Sequence, residues 1–476
     1  MPHILTLDLG TTYFKAGLFD REGRMCALYR EAPPIRCPRP GRCELDAADF
    51  RAAVRRSIAA VGASSPDGLR DVAAVTFATQ TNSFVLLDAD DQPLTPIILW
   101  PDDRAAVLTD HVRSIAELPA FRATTGLAGL GTEFMAAKLH WLRGEQPDVW
   151  ARIRRLCLIS DYLTLWLTGR HVTEAGAAGL TAAMDIHHLT WWPEAAGRMD
   201  LSSAWLPQIV RAGADLGPLR SDIVEDLGLP RTCRFVVGCL DQFAGAIGAG
   251  NIEPGGVSET TGTVLATVRC SQGFTQNVGA GVFQGPAFDA GVYYQMVFGS
   301  RSANLLESYR NRLPDRPAFD ALDRLAANVP PGADGLRVLP GAESRSDSVL
   351  FEGRSDHHTT GHQVRAILEA VALALAAQVD QLCGGQRPAI IRCGGGAARS
   401  DLWLQIKADV LGIPTAALEC PEPTSLGTAI LAARALVWGR LEELARQWVR
   451  VRPAHQPDPQ THLAYARCFP RHAHGG

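Results

Sequence analysis

The sequence predicts a soluble α/β protein of two or three domains, on three observations. A chain of 476 residues is long enough to build two or three cores. Its first thirty residues alternate strand and glycine turn before the first helix. Near residue 257 the same strand–Gly-Thr–strand pattern returns, a faint symmetry between the halves.

The elements follow in order. Ile4–Asp8 reads as strand, Gly10-Thr11-Thr12 as a tight turn, Phe14–Phe19 and Met25–Arg30 as strands. Phe50, Ala53, Val54, Ile58 and Val61 fall at helical spacing within a helix over Ala47–Val61. Val72–Ala78 and Ser83–Leu87 are strands bracketing Thr79-Gln80-Thr81-Asn82. From Pro101 to Pro230 the chain is richer in helix, Trp and Leu, and is expected to wall a substrate site. Val236–Leu240 reads as one short buried strand, followed by a small-residue helix over Ala244–Gly250. Glu253-Pro-Gly-Gly256 marks a boundary, and the strand pair of Val257–Thr267 comes next. A long helix carries Val364, Ile367, Leu368, Val371, Leu375 and Leu382 on one face. Ala389–Cys393 is strand, Gly394-Gly395-Gly396 a loop, and Ser400 the expected N-cap of a helix over Asp401–Leu411. The stretch from about Val451 reads as a surface tail. The expected domains are residues 1–250, 251–440 and a tail over 441–476.

Composition excludes several classes. The chain is 46% hydrophobic and 20% charged with a mean hydropathy of +0.00, which is ordinary for a globular protein. A net charge of -4 carries no polyanion-binding signature, so nucleic acid and anionic membranes are poor partners. No long uninterrupted apolar run argues for a membrane span, and the chain enters a strand too early for a signal peptide. The 11 cysteines are scattered with no CxxC pair, as for thiols in a reducing, cytoplasmic compartment. Cys37 and Cys43 flank Pro-Arg-Pro-Gly-Arg and read as a turn, not a metal site.

Four segments carry chemistry. Asp241 arrives at a strand end just before a close-packing helix, where it is a general-base candidate or a helix cap. In Asp8-x-Gly10-Thr11-Thr12-x-x-Lys15 a glycine turn lets backbone N–H groups approach an anion. The threonine hydroxyls add donors, and Lys15 can reach a transferring phosphoryl group. Asp8 can hold magnesium through water, since that ion sheds its shell reluctantly. Gly394-Gly395-Gly396-Ala397 allows close approach of a flat base or ribose at a helix start. Gln80-Thr81-Asn82 either faces a cleft or caps a turn. By contrast His358 and His362 lack a third metal ligand, Arg152-Ile153-Arg154-Arg155 reads as a solvated helix face, and His472 and His474 as tail residues.

With these residues the chain resembles the FGGY family of carbohydrate kinases, in its xylulokinase-like branch, within the actin-like ATPase superfamily. The resemblance runs from Leu5 to about Trp438. It is carried by Asp8-Leu-Gly-Thr-Thr, by Pro96–Pro101 with Asp102 and Arg104, and by Gly238-Cys-Leu-Asp241-Gln242. In the second half it is carried by Gly262-Thr263, Arg365–Glu369, Gly394–Gln405 and Leu426–Ala433. The resemblance implies two ribonuclease-H-like domains flanking a deep cleft, with ATP and Mg2+ between them and the sugar deeper, against the first domain. It implies Asp241 as base, and Gly10, Thr11, Thr12, Gly262 and Thr263 as phosphate contacts. Gly394 to Ala397 become the adenosine loop, and Gln80, Thr81, Asn82, Asp102, Asp241 and Gln242 the sugar side. Partners are then a small sugar and ATP, with a homodimer the assembly to test.

Departures bear on the substrate. The family's xylulokinases usually carry Gln-Met-His-Gly where this chain has Gln80-Thr81-Asn82-Ser83, and its glycerol kinases use Gln-Arg-Glu. Val264 stands where Ser is frequent. The expected activity is phosphorylation of a ketose, a pentulose of the xylulose or ribulose type first. The alternatives are a hexulose, heptulose or polyol kinase, and a member that binds nucleotide and sugar without turnover.

Overall fold

The computed structural model describes residues 2–262, 264–276, 278–339 and 351–470. The opening meander forms as its alternation requires: β1 (His3–Leu9), β2 (Phe14–Phe19) and β3 (Met25–Glu31) pair antiparallel in sequence. Helix α1 (Ala47–Ser64) is capped by Asp46, whose side chain accepts from Ala48 and Asp49 N–H. It buries Phe50, Val54, Ile58 and Val61 and sets Phe50 edge-on to Phe14. The chain then returns as β4 (Val72–Thr79), parallel to β1. After a helical region containing α2 (Met135–Glu145), the sheet is completed by β5 (Asp215–Pro218), β6 (Arg234–Val236) and β7 (Cys239–Leu240). Its order is β5-β6-β4-β1-β2-β3, with β7 beside the end of β4.

The expected single strand over Val236–Leu240 is thus two pieces. A Cβ on Gly238 would lie 1.5 Å from the Phe77 carbonyl oxygen, so the backbone presses on β4 there, and the register slips by one residue between Phe235 opposite Val75 and Cys239 opposite Ala78. The break turns Asp241 out at the head of α3 (Asp241–Gly248).

The second half repeats the scheme. Strands β8 (Val257–Thr261), β9 (Leu265–Gln272), β10 (Phe283–Pro286) and β11 (Val292–Gly299) are followed by α4 (Thr360–Cys383), β12 (Ile391–Gly394), α5 (Asp401–Leu411) and β13 (Thr415–Ala417). The order is β10-β11-β9-β8-β12-β13. In both sheets an antiparallel hairpin lies beside a parallel strand: β1/β2 beside β4, β8/β9 beside β12. The faint symmetry of the sequence is therefore topological. Helix α4 is long and apolar, and its apolar positions are buried against the second sheet and its flanking helices.

The halves are joined by crossed helices. Helix α6 (Pro423–Ala435), from the second half, packs on β1 and β4, while α3 packs on β8 and β9. They meet at glycine: a Cβ on Gly427 would fall 1.9 Å from Ala244 O, and one on Gly248 1.8 Å from Pro423 O. Only backbones without side chains reach this separation.

The end of the chain is not a loose tail as far as residue 470. Helices α7 (Leu441–Trp448) and α8 (Pro459–Cys468) fold back, α7 against α6 and α8 against α5. Tyr465 is buried, donating to Glu369 Oε1 at 2.9 Å and accepting from Arg365 at 2.6 Å. Four prolines and four histidines from Val451 onward point to a tail in the sequence; the apolar anchors Trp448 and Tyr465 are too sparse to show as periodicity. His472 and His474 lie outside the described residues. The Arg152–Arg155 segment also differs from expectation, since Arg155 begins a strand over Arg155–Leu158 that pairs with Phe84–Leu87.

Candidate active site

Asp8 and Lys15 face each other in the β1/β2 register, which sets Lys15 Nζ 3.1 Å from Asp8 Oδ2. The same ammonium reaches Glu422 Oε2 at 2.6 Å, at the start of α6. Burial pushes Asp8 above its ordinary pKa, and Lys15 offsets only part of that. Burial works against the Lys15 charge, but Asp8 and Glu422 outweigh it and hold its pKa above the usual lysine range. One lysine thus ties the first hairpin to the second half of the chain.

Asp241 heads α3 beside this cluster. Its Oδ1 accepts from Gln242 N–H at 2.7 Å. Burial first, and the nearby Asp8 carboxylate second, push its pKa up to about 7. Part of its surface stays open. A carboxyl so placed takes up and releases a proton near neutrality, the property a general base needs.

Thr11 is tied to the Gln80 turn and to Trp100, not left free at the hairpin tip. Trp100 Nε1–H donates to Thr11 Oγ1 at 2.8 Å, and Thr11 donates to Gln80 Oε1 at 3.1 Å. Ser83 Oγ donates to the same Gln80 oxygen at 3.1 Å and accepts from Trp100 N–H at 3.0 Å. This closed ring fixes Gln80, which is buried, in one orientation. Thr12 is exposed at the turn tip.

Asn82 and Asp102 are held by the protein itself. Asn82 adopts a left-handed backbone (φ 58°), and its Oδ1 accepts from Met135 N–H at 3.0 Å, at the start of α2. Of the two readings of this turn, the cap is the one the geometry displays. Thr81 Oγ1 donates to Ala177 O at 3.3 Å. Asp102 accepts from Arg104 Nε at 2.7 Å and from Cys43 N–H at 2.7 Å. Burial alone would raise its pKa; Arg104 and the backbone donors outweigh that and hold it below the ordinary range.

The second hairpin and the glycine loop pack together in the other half of the chain. Gly262 follows β8; its N–H donates to Val264 O and its carbonyl accepts from Ser302 Oγ at 2.8 Å. Thr263 lies outside the described residues. Gly395 has φ 79°, and a Cβ there would meet Thr261 O at 2.7 Å, so the loop from Gly394 through Gly396 to the buried Ala397 lies directly on the end of β8. Ser400 caps α5, accepting from Trp403 N–H at 3.0 Å. Beneath the hairpin, fully buried Lys407 donates to Glu259 Oε1 at 2.6 Å and Thr261 Oγ1 at 2.9 Å.

Several members of this arrangement carry no motif. Glu174, fully buried, accepts from Gly176, Ala177 and Leu240 N–H and so holds the residue before Asp241. Burial pushes it up to about 7. Lys138 is fully buried and donates to the carbonyls of Trp100, Thr132 and Glu133, with its pKa pushed down by burial to about 8. Glu422, Glu174 and Lys138 acquire their roles only through tertiary contact, as does Trp100 although it lies in the Pro96–Pro101 segment; a charged residue among apolar ones is a signal for Glu174 and Lys138 alone.

Comparison with known proteins agrees with this geometry. Residues 3–248 match the N-terminal domain of the FGGY family of carbohydrate kinases, and residues 232–436 match its C-terminal domain. The chain is 26% identical over 483 residues to the xylulose kinase of Lactococcus lactis subsp. lactis, covering 98% of this chain and 95% of that one. It is 30% identical over 490 residues to the glycerol kinase of Aromatoleum aromaticum, covering 94% and 93%. Among solved structures, a xylulose kinase from Lactobacillus acidophilus matches with a TM-score of 0.89 at 23% identity, over 99% of this chain and 96% of that one. A protein from Brucella ovis described as a xyloylose kinase matches with a TM-score of 0.88 at 27% identity, over 98% and 97%. Two sheets of one topology, joined by crossed helices, and these matches along almost the whole chain lead to one conclusion: the protein belongs to the FGGY family of carbohydrate kinases and is a phosphotransferase.

Proposed function

We propose that this kinase transfers the γ-phosphoryl group of ATP to a hydroxyl of a ketose, a pentulose of the xylulose or ribulose type first, with Asp241 as the general base. The observation that carries the reading is the Asp241 carboxyl, half-enclosed at the head of α3, with its pKa near 7 and the Asp8–Lys15 pair beside it. An alcohol is a poor nucleophile at neutral pH. Asp241 accepts its proton as the oxygen bonds to phosphorus, and ADP leaves. Lys15 stabilises charge on the transferring group, the Gly10–Thr12 and Gly262 turns offer backbone N–H groups to the phosphates, and Gly394–Ala397 lies against the adenosine.

Asp8 and Glu422 both pair with Lys15, and Asp241 lies near enough to feel Asp8 and Lys15; carboxyls so placed suit a magnesium ion held through its water shell and not by direct ligation. Asp8 would hold the ion through water, and Mg2+ would supply charge neutralisation to the triphosphate. On the sugar side Gln80 and Gln242 offer amide groups, and no described cation stands among Gln80, Thr81 and Asn82 to favour a sugar acid. Ketoses are preferred over glycerol because this turn lacks the Arg-Glu pair associated with glycerol kinases. The glycerol-kinase relatives, at 30% identity, keep a polyol as the second reading.

A coupled ADP-release screen over pentuloses, hexuloses, heptuloses, glycerol and larger polyols tests the proposal. Turnover highest on a pentulose supports it; turnover confined to glycerol or another polyol replaces the substrate while leaving the chemistry. Sugar binding without ADP release from any acceptor would contradict the catalytic reading.

A further inference from the structure

Cys37 and Cys43 stand at the open end of a short hairpin, where the backbone brings them face to face. The strands Ile35–Arg36 and Glu44–Leu45 pair antiparallel with Ile35 opposite Leu45 and Arg36 opposite Glu44. The ladder ends there; continued by one rung, its register sets Cys37 against Cys43. Both backbone groups of Cys43 turn away from that rung: its N–H donates to Asp102 Oδ2 at 2.7 Å, and its C=O accepts from Leu99 N–H at 3.0 Å. The rung is therefore of the non-hydrogen-bonded kind, in which facing Cα atoms stand about 4.5 Å apart. That separation lies inside the range a disulfide spans. The Cys37 side chain is near enough to be among the groups that act on the Cys43 thiol. Cys37 is exposed and Cys43 half-buried, so one thiol of the pair meets solvent.

The hairpin end also holds the sugar-side frame. Gly41 O accepts from Asp103 N–H at 2.8 Å. Arg42 lies over the Trp141 ring at 4.4 Å, and Arg104, the partner of Asp102, over the same ring at 5.5 Å. Any shift of the Cys43 backbone is transmitted to Asp102 through a single hydrogen bond.

We propose that Cys37 and Cys43 are a modification site: a thiol pair that closes reversibly to a disulfide and thereby alters the Asp102–Arg104 frame. The oxidant is a low-molecular-weight disulfide. The Cys37 thiolate attacks one of its sulfurs, forming a mixed disulfide and expelling one thiolate. The Cys43 thiolate then attacks the Cys37 sulfur and expels the second. The protein loses two electrons and two protons, and the small disulfide becomes two thiols. Burial pushes the Cys43 thiol up to about 11, so exposed Cys37 makes the first attack and Cys43 resolves it.

The test incubates the full chain with oxidised glutathione, followed by alkylation and peptide mapping. The expected product is an internal Cys37–Cys43 linkage, reversed by dithiothreitol and absent from Cys37→Ser and Cys43→Ser, with Cys37→Ser retaining the activity of the reduced enzyme. Glutathione left as a stable adduct on Cys37 with Cys43 free overturns the proposal, as does equal loss of two thiols in Cys37→Ser. The functional arm rests on the kinase reading above: closure should raise the KM for the acceptor sugar severalfold and leave that for ATP unchanged. An unchanged sugar KM in the fully linked enzyme overturns the coupling. Because mapping needs no substrate, failure of the kinase reading would leave the linkage test standing.

Discussion

Lys15 Nζ stands 2.6 Å from Glu422 Oε2, joining two residues 407 positions apart in the chain. The pair ties the two halves of the chain together because β2 carries one partner and the start of α6 the other. Both side chains are largely shielded, so the interaction is expected to exceed that of a surface pair. A double-mutant cycle of Lys15→Met and Glu422→Gln in urea denaturation should give a coupling of roughly 0.5–3 kcal/mol. Both single variants should weaken use of ATP more than binding of sugar. Additive effects, with no coupling, would reduce the pair to a packing contact.

Asn82 is expected to matter for stability before specificity. Asn82→Ala removes the cap on Met135 N–H, worth about 1 kcal/mol, and places alanine at φ 58°, at a further cost of about 1–2 kcal/mol. Asn82→Gly removes the cap but tolerates the backbone, so it should be the milder of the two. Equal stability in all three proteins, together with a changed preference among sugar epimers, would return Asn82 to the sugar contacts.

The Trp100–Thr11–Gln80 ring predicts a split in kinetic constants. Trp100→Phe deletes the bond to Thr11, and Thr11→Val deletes both that bond and the one to Gln80, each worth about 0.5–1.5 kcal/mol. The sugar KM should rise roughly 2- to 10-fold, with the KM for ATP nearly unchanged. A rise confined to ATP in Thr11→Val would show that its hydroxyl serves the phosphates, as its turn motif suggests.

Glu174 and Asp161 are both buried, and burial pushes each up to about 7. The folded state therefore keeps protons that the unfolded chain releases as pH rises from about 4.5 towards 7. Across that window the folded state binds more protons, so stability falls as pH rises. Glu174→Gln should lower stability at the acid end, where it disturbs the N–H contacts, and flatten the slope. Denaturant midpoints at about pH 5 and about pH 8 check this. A slope unchanged by the substitution would show that Glu174 titrates near its ordinary value.

The sequence displayed what is local. Asp8 to Lys15 was legible because alternation and a glycine turn dictate a hairpin, and Ser400 because a capping serine precedes an apolar helix. The break at Gly238 was hidden, since its cause is the Phe77 carbonyl on another strand. The crossing of Gly248 and Gly427 was equally silent: a glycine in a small-residue helix does not announce which backbone it approaches. Glu174, Trp100 and Glu422 escaped for the same reason, their partners lying 66, 89 and 407 residues away in the chain. Thr11 lies in a hairpin the sequence predicts, but the partners of its hydroxyl, Gln80 and Trp100, come from distant parts of the chain.

The central claim is that Asp241 is the base, and the most direct measurement is the pH dependence of kcat/KM for wild type and Asp241→Asn. For wild type the rate should rise through an acid limb near pH 7, since burial and Asp8 hold the carboxyl protonated below that value. Asp241→Asn should melt normally and bind ATP with unchanged affinity. It should lose turnover by roughly 10²–10⁴-fold and show no limb there. Near-normal turnover with the same acid limb in Asp241→Asn would contradict the account.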